Sequence, residues 1–152
     1  MIDSDKSNRQ RELVDLICFS VYETGHALNQ LYRTLLKDLG LTYPQYLVML
    51  LLWRGDDRTV KAIGQELGLG SNTLTPLLKR LEDLNLIRRR RTPEDERAVR
   101  ISLTKEGTAF HERAKQVTRC VFDATGMSAN AVADLINRLN MLRSNILKAV
   151  QD

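Results

Sequence analysis

Two cysteines and a small group of tyrosines are the residues of this sequence with the clearest chemical potential. Cys18 lies beside Ile17 and Phe19, and Tyr22 follows it by four residues, one turn further along the same helix face. A phenolic hydroxyl can donate a hydrogen bond to a thiolate and stabilise it without adding a cation. A cysteine in apolar company is, however, commonly an inert core residue. Residue types alone therefore leave both a redox role and a structural role open for Cys18.

Positive charge is concentrated in one part of the chain. The 152 residues contain 23 Lys and Arg and 19 Asp and Glu, which gives a net charge of +4. The stretch from Ser71 to Thr104 holds eight basic and five acidic residues, a net charge of +3, which leaves +1 for the rest. Such a stretch is either a nucleic-acid-binding surface or a solvated basic hairpin with internal Arg–Glu pairs. The elements that carry the charge decide between these two readings.

Helical periodicity organises the first half of the chain. Apolar residues within 13–39 recur near one stripe and predict a long first helix that ends at Gly40. Thr42 and Gln45 have the spacing of a capping box and predict a second, buried helix through Trp53.

Two shorter helices are predicted next. Thr59 can cap a third helix that ends near Leu67. The fourth covers residues 74–85, and we place its cap at Thr73 because Pro76 then lies in the first turn, where its missing N–H costs little. The leucines of the fourth helix that should face the core are Leu74, Leu77, Leu78 and Leu81.

A hairpin and two further helices complete the prediction. Residues 86–91 and 98–103 flank a proline-containing turn and partly alternate between apolar and polar, which predicts two paired strands. Thr104 can cap a fifth helix that runs toward Ala124, and Ser128 can open a sixth with a clear apolar stripe. The sequence therefore predicts a mainly α-helical fold with a small β-hairpin wing.

Two short helices, a tight turn and a basic hairpin form the pattern of a winged helix-turn-helix. A helix fits the major groove of DNA, and a hairpin can reach the flanking backbone or minor groove. We expect Arg97 to enter a narrow minor groove and Asp95 to hold it by a charge-assisted hydrogen bond. The candidate DNA-binding residues are Ser71, Asn72, Thr73, Thr75, Lys79, Arg80, Arg89, Arg91, Asp95 and Arg97.

Other functional classes find little support in the sequence. No apolar run approaches the twenty or so residues of a membrane span, and the N-terminus lacks the apolar segment of a secretory signal, so we expect a cytoplasmic protein with no membrane partner. His26 and His111 have no neighbours at metal-ligand or triad spacing, and no phosphate-binding glycine loop is present. We therefore expect neither a metal nor a cofactor.

Three segments carry a family resemblance. They are LTYPQYLVML at 41–50, TLTPLLKRLE at 73–82, and PEDER at 93–97 with SLT at 102–104. These segments resemble the MarR family of transcriptional regulators, specifically its organic-hydroperoxide-sensing OhrR branch, which includes a two-cysteine type. The resemblance runs from about Leu16 to Gly107, and the two C-terminal helices match in pattern only. Gly70 stands where the branch usually has Asp, and Asn72 where Gly is common.

The resemblance implies an architecture and a set of partners. It implies a homodimeric repressor in which residues 1–40 and 104–152 form a helical dimerisation region, joined by the first and last helices. Residues 41–103 would form the winged helix-turn-helix, and two copies would grip a palindromic double-stranded operator.

The resemblance also implies roles for the cysteines and tyrosines. Cys18 would be the sensor of organic hydroperoxide, hydrogen-bonded by Tyr32 and Tyr43, with Tyr22 in the same pocket, which forms partly across the dimer. Cys120 would resolve the oxidised sensor through an intersubunit disulfide. A plain helix cysteine at 120, with a low-molecular-weight thiol acting instead, is the alternative.

Two other functions are compatible with the same residues. The first is a winged-helix repressor that a small aromatic ligand releases reversibly, with the tyrosine crevice as its pocket and Cys18 incidental. The second is a thiol peroxidase in which Cys18 turns over. Peroxidases usually place an activating Arg and Thr around their cysteine, and no such pair flanks Cys18. We therefore expect a protein that is not an enzyme.

Overall fold

A computed structural model describes residues 2–92 and 95–151, with the side chains of 2–8, 92, 95–97 and 151 outside that description. Its elements are α1 (Ile2–Leu35), a 3-10 helix (Lys37–Leu39), α2 (Tyr43–Arg54), β1 (Arg58–Thr59), α3 (Val60–Leu67), α4 (Ser71–Asp83), β2 (Ile87–Thr92), β3 (Asp95–Leu103), α5 (Lys105–Ala124) and α6 (Ala129–Gln151). The predicted class, mainly α with a small β wing, is confirmed. Two compact units divide the chain, residues 1–117 and 118–152.

Membrane-spanning character is absent from the described helices. None of them combines the length and the apolar composition that crossing a bilayer requires.

The start of α2 follows the predicted capping box. The Thr42 hydroxyl accepts from the Gln45 backbone N–H at 3.4 Å, and the Gln45 side chain accepts from the Thr42 N–H at 2.9 Å. Pro44 lies in the first turn, where helical N–H groups have no intrahelical partner to lose. Val48 and Met49 are fully buried, so α2 forms the centre of the core as its composition predicts.

The predicted N-cap of α4 at Thr73 is wrong. The helix begins at Ser71, because the Gly70 carbonyl already accepts from the N–H groups of Thr73 at 3.1 Å and Leu74 at 3.0 Å. Pro76 therefore lies inside the helix and leaves the Asn72 carbonyl without its usual i+4 donor. Asn72 is exposed, so water can solvate that carbonyl, which limits the cost of the early start.

The first helix also ends earlier than its periodicity predicts. It stops at Leu35, and the chain continues through the tighter turn Lys37–Leu39. Gly40 ends this 3-10 helix, with φ of 68° and an N–H that donates to the Lys37 carbonyl at 3.2 Å. Its left-handed backbone is the conformation that favours glycine.

The three strands form one antiparallel sheet in the order β1-β3-β2. The predicted hairpin is present, with Arg89 opposite Ile101 in the ladder. The strand β1 was not predicted: Arg58 pairs with the other side of Ile101. A two-residue strand is too short to show a periodicity in sequence. It is recognised as a strand only by its pairing with β3, in which Arg58 lies opposite a residue 43 positions later.

The core of the first unit lies between α2, α3, α4 and the base of the hairpin. The four leucines predicted to point inward on α4 are buried, which confirms that prediction. They meet Ile63 of α3 and the hairpin residues Ile87 and Ile101, all nearly inaccessible to solvent. This packing fixes the orientation of α4 relative to the sheet.

One junction ties α5 to the rest of the first unit. Thr104 caps α5 as predicted, with its hydroxyl accepting from the Gly107 N–H at 2.8 Å and donating to the Asn85 carbonyl at 2.6 Å. The Thr104 N–H donates to the Leu86 carbonyl at 3.1 Å. Trp53 of α2 donates from its indole N–H to the Gly107 carbonyl at 2.9 Å.

The second unit contains the end of α5 and all of α6. The Ser128 hydroxyl accepts from the Ala131 N–H at 3.3 Å, so Ser128 opens α6 as predicted. Gly126, with φ of 62°, makes the turn that precedes it.

Replacement of Gly107 by alanine should destabilise the protein. A Cβ built there would lie 1.9 Å from the Leu86 carbonyl oxygen, so α5 must move away from the hairpin base. We expect Gly107→Ala to lower the free energy of unfolding by about 3 kcal/mol or more, measured by urea denaturation. Gly70→Ala, whose Cβ would meet nothing within 4 Å, serves as control and should cost no more than about 1 kcal/mol, the usual effect of alanine at a helix N-cap. Equal stability of the two variants would contradict the close approach.

Candidate nucleic-acid interface and thiol sites

The outer face of α4 carries the predicted polar residues. Asn72, Thr75 and Lys79 are exposed, and their spacing of three and four residues places them opposite the buried leucines. Ser71, Thr73 and Arg80 are exposed on the flanks of this face. The helix thus presents short hydrogen-bonding side chains and two cations, the residue types that contact base edges and phosphates.

A groove of about 760 Å³ separates the start of α4 from the hairpin. The predicted residues Ser71, Thr75 and Arg89 line it. Lys61 and Gln65 of α3 line it as well, and our sequence reasoning missed them. Their spacing of four residues on the polar face of an amphipathic helix is the signal that would have indicated them.

Arg89 of the hairpin is held against α4. Its Nε donates to Oε2 of Glu82 at 2.7 Å, and its backbone N–H donates to Oε1 of the same carboxylate at 3.2 Å. The side-chain hydrogen bond from Arg89 holds the pKa of Glu82 below its ordinary value. Arg89, predicted as a DNA contact, therefore already has a carboxylate partner within the chain.

Asp57, in the turn that precedes β1, likewise pairs with arginines of the hairpin. Its Oδ1 accepts from Nε of Arg100 at 3.0 Å and lies 3.9 Å from a guanidinium nitrogen of Arg90. The hydrogen bond from Arg100 lowers the pKa of Asp57. Sequence reasoning did not select Asp57 or Arg100, because the two lie 43 residues apart and no local pattern joins them.

The other charged residues of the hairpin, which include the candidates Arg91, Asp95 and Arg97, differ in their surroundings. Arg88 and Arg91 are exposed, and neither forms an ion pair with a carboxylate of the described residues. The backbones of Asp95 and Arg97 belong to β3, while their side chains lie outside the part of the chain that the structure describes. The minor-groove role of Arg97 and the supporting role of Asp95 stay predictions.

The thiol of Cys18 is exposed on α1 in the single chain. Tyr22 lies one turn away, where its ring meets His26 edge to face at 4.5 Å. Tyr32 is fourteen residues beyond Cys18 on the same helix, about 21 Å along the axis at 1.5 Å per residue. Within one chain the structure therefore brings Tyr22, but not Tyr32, close to Cys18.

Tyr32 and Tyr43 form a compact pair. Their rings stack at 4.1 Å between centroids, with Tyr46 tilted against Tyr32 at 5.6 Å. Burial, with smaller contributions from the neighbouring phenols, raises the pKa of Tyr32 to about 12, and burial also raises the pKa of Tyr43. Both phenols are therefore protonated hydrogen-bond donors at neutral pH.

Cys120 is partly buried on the part of α5 that belongs to the second unit. Cys18 and Cys120 are not joined by a disulfide within the chain. Among the described residues no cluster of His, Cys, Asp and Glu side chains has the geometry to hold a metal ion.

Loss of the Glu82 carboxylate should matter only where that group is ionised. We expect Glu82→Gln to lower the free energy of unfolding by less than about 1 kcal/mol at neutral pH, as for other exposed ion pairs. Because Arg89 lowers the pKa of Glu82 in the folded protein, this contribution is complete above the ordinary carboxyl pKa. It is lost as the pH falls through the lowered value.

Urea denaturation from neutral pH to about pH 3 measures this effect. The difference between wild type and Glu82→Gln should shrink toward zero at the acidic end. Asp83→Asn, which removes the neighbouring exposed carboxylate and leaves the pair of Glu82 and Arg89 intact, is the control. A difference that stays constant with pH would contradict an ion pair between Glu82 and Arg89.

Comparison with known proteins identifies the family. A family model described as transcriptional regulator SarA/Rot matches residues 30–113, more than half of the chain. The organic hydroperoxide resistance transcriptional regulator of Bacillus subtilis is 40% identical over 131 residues, which cover 86% of this chain and 89% of that protein.

Solved structures agree with this result. AbfR of Staphylococcus epidermidis is 33% identical, matches 93% of this chain and 98% of its own, and has a TM-score of 0.84. Reduced AbfR bound to DNA has 32% identity, coverage of 93% and 99%, and a TM-score of 0.78. Disulfide-formed AbfR has 35% identity, coverage of 91% and 98%, and a TM-score of 0.66. The chain belongs to the MarR family of winged-helix transcriptional regulators, as an OhrR-like member and not an enzyme.

Proposed function

We propose that this protein is a homodimeric repressor that leaves its operator when an organic hydroperoxide oxidises Cys18. The observation that carries the proposal is an exposed thiol in the middle of α1, flanked by exposed apolar side chains and by Tyr22. A related regulator is named for organic hydroperoxide resistance, and AbfR is known both reduced on DNA and with a disulfide formed. These relatives support a redox switch that acts in the cytoplasm, where the operator is.

DNA binding is assigned to α4 and the hairpin. Asn72, Thr75 and Lys79 face outward from α4 and would contact the major groove, while Arg91 on β2 would contact the flanking backbone. Two copies related by a two-fold axis would read a palindrome, with their recognition helices one helical turn, about 34 Å, apart. Duplex DNA is therefore the principal partner.

Dimerisation is assigned to the N- and C-terminal helices. In the single chain, a series of large apolar side chains on α1 is exposed: Leu13, Val14, Leu16, Ile17, Phe19, Val21 and Tyr22. On α6 the exposed apolar side chains are Leu135, Ile136, Leu139, Met141, Ile146, Leu147 and Val150. So many exposed large apolar side chains on one helix are typical of an interface with another chain. We assign residues 1–40 and 104–152 to it, and residues 41–103 to DNA binding.

The tyrosine pair would reach Cys18 across the dimer. If two copies of α1 pair antiparallel about a two-fold axis, Cys18 of one lies opposite Tyr32 of the other when the axis passes near residue 25. That residue is Gly25, and nothing within 4 Å would meet a Cβ there, so a second helix can approach closely. Tyr32 and Tyr43, both protonated, would then donate hydrogen bonds to the thiolate.

The chemistry is a two-electron oxidation of sulfur. The Cys18 thiolate attacks the terminal oxygen of the hydroperoxide, an S–O bond forms, the O–O bond breaks, and the alkoxide leaves and takes a proton to become the alcohol. The product at Cys18 is a sulfenic acid. An apolar surrounding favours organic hydroperoxides over hydrogen peroxide, because only the former carry apolar groups to bury.

A second thiol completes the switch. Cys120 of the other subunit, or a low-molecular-weight thiol, attacks the sulfenic sulfur, which forms a disulfide and releases water. The disulfide then favours a dimer in which the two hairpins are wrongly spaced for successive grooves. A differential stability of a few kcal/mol is enough to remove most of the protein from its operator.

Replacement of the sensor thiol tests the proposal. Wild-type protein should leave an operator duplex after treatment with cumene hydroperoxide, whereas Cys18→Ser should bind with similar affinity and stay bound, because serine cannot form a sulfenic acid. A gel-shift titration measures both. Release of Cys18→Ser as readily as wild type would instead support a reversible aromatic ligand site near the tyrosines.

The resolving step has its own test. Non-reducing gel electrophoresis after hydroperoxide treatment should show a covalent dimer for wild type and none for Cys120→Ser. A reducing agent should convert the wild-type band back to the single chain. A monomeric band of increased mass in both proteins would assign resolution to the small thiol and contradict a role for Cys120.

A further inference from the structure

We propose that Glu82 and Asp57 are positioning residues that hold the hairpin through Arg89 and Arg100, and that these two arginines orient the hairpin without contacting DNA phosphate. The proposal rests on the proposed function in one respect, namely that the hairpin lies on DNA. It corrects the expectation that Arg89 is a DNA contact. The argument depends on how each carboxylate meets its arginine and on where the two pairs lie on the sheet.

The first pair joins α4 to β2. Glu82 receives both the backbone N–H and the guanidinium Nε of Arg89, at 3.2 and 2.7 Å. A carboxylate that accepts from the main chain as well as the side chain fixes the position of the strand, and not only the end of a flexible side chain. The hairpin therefore keeps its register relative to the recognition helix.

The second pair joins the turn before β1 to β3. Asp57 has φ of 58°. Arg100 donates to the Asp57 carboxylate at 3.0 Å and also to the Asp57 backbone carbonyl. Arg58, the residue after Asp57 and the first of β1, donates from its side chain to the Gly55 carbonyl at 2.7 Å. The turn that presents Asp57 is thus itself held in place by hydrogen bonds.

The two pairs lie on opposite faces of the sheet. Arg89 is opposite Ile101 in the ladder and shares its face with the buried Ile87. Arg100 is opposite Arg90, one residue out of phase, and so points to the other face. Glu82 and Asp57 therefore restrain the hairpin from both sides, which a single ion pair could not do.

Charge and exposure distinguish the held arginines from the others. The side chains of Arg89 and Arg100 are 34% and 37% exposed, against 67% for Arg90. A phosphate brought to Arg89 would also meet the Glu82 carboxylate beside it, and the pair carries no net charge to displace counterions. Among the hairpin arginines whose side chains the structure describes, Arg88 and Arg91 are exposed without an ion pair to a described carboxylate, and they can contact the DNA backbone.

Arg89→Gln and Arg91→Gln are a matched test, since the two residues lie on the same face of the same strand. Binding of full-length protein to a mixed-sequence duplex, and to a duplex enriched by wild type from a randomised pool, is measured against salt concentration. Arg91→Gln should reduce the slope of log K against log salt by about 1.8 per dimer, the value for two lost phosphate contacts. Arg89→Gln should leave the slope unchanged and weaken binding to the enriched duplex about fivefold.

A charge swap supplies the second readout. Arg89→Glu alone places two carboxylates side by side and should weaken binding. Glu82→Arg combined with Arg89→Glu restores an ion pair with the charges exchanged. The double variant should therefore recover most of the lost affinity, even though the hairpin now carries the negative charge. Melting temperatures of all variants identify losses due to unfolding. A reduced slope for Arg89→Gln, or no recovery in the double variant, would overturn the proposal.

The same preparations separate this proposal from the redox switch. If wild type binds the enriched duplex but hydroperoxide does not release it, the proposed function fails while the salt slopes still test the hairpin. If release occurs and Arg89→Gln reduces the slope as much as Arg91→Gln does, only the positioning role fails.

Discussion

The contact between the start of α5 and the base of the hairpin is the constraint on which the rest of the structure depends. Thr104 caps α5 and bonds at the same time to the carbonyls of Asn85 and Leu86, which lie between α4 and β2. Gly107 allows the helix to approach Leu86 at a distance that no side chain permits. The helix α4, the hairpin and the start of α5 are therefore joined at the two residues Asn85 and Leu86.

Under the proposed function, the same junction would connect the thiol on α1 to the surface assigned to DNA binding. Trp53 of α2 bonds to the Gly107 carbonyl, so the second helix is joined to α5 at the point where α5 is joined to the hairpin. Tyr43 at the start of α2 stacks on Tyr32 of α1. A displacement of α1 therefore has a continuous path of packed and hydrogen-bonded groups to the DNA-binding surface, which is the physical requirement for coupling two separate sites.

Local chemistry made much of the fold predictable. The caps at Thr42 and Thr104 and the inward leucines of α4 are each set by residues within one or two turns of sequence, and the structure confirms them. The predicted start of α4 was wrong because the Gly70 carbonyl accepts from two helical N–H groups, while the carbonyl that Pro76 leaves without a donor belongs to an exposed residue. The sequence pattern does not show that this carbonyl is open to water.

The candidate site was less predictable than the fold, because its key relations join distant parts of the chain. The partner of Asp57 lies 43 residues away, and β1 exists only because β3 pairs with it. The distance of about 21 Å between Cys18 and Tyr32 follows from the helix continuing unbroken between them, so the pocket implied by the family resemblance needs a second chain. Sequence selected these residues as candidates, and within one chain the structure does not bring Cys18 and Tyr32 together.

Trp53 is the one tryptophan of the sequence, and its location makes it an internal optical probe. Its indole is hydrogen-bonded to α5 and stacked on the exposed His111 at 4.7 Å between ring centroids, and Tyr46 meets it edge to face at 6.1 Å. Any change in the angle between α2 and α5 must separate the two stacked rings and alter the polarity around the indole. The emission spectrum of the unlabelled protein therefore reports directly on any movement of α2 relative to the start of α5.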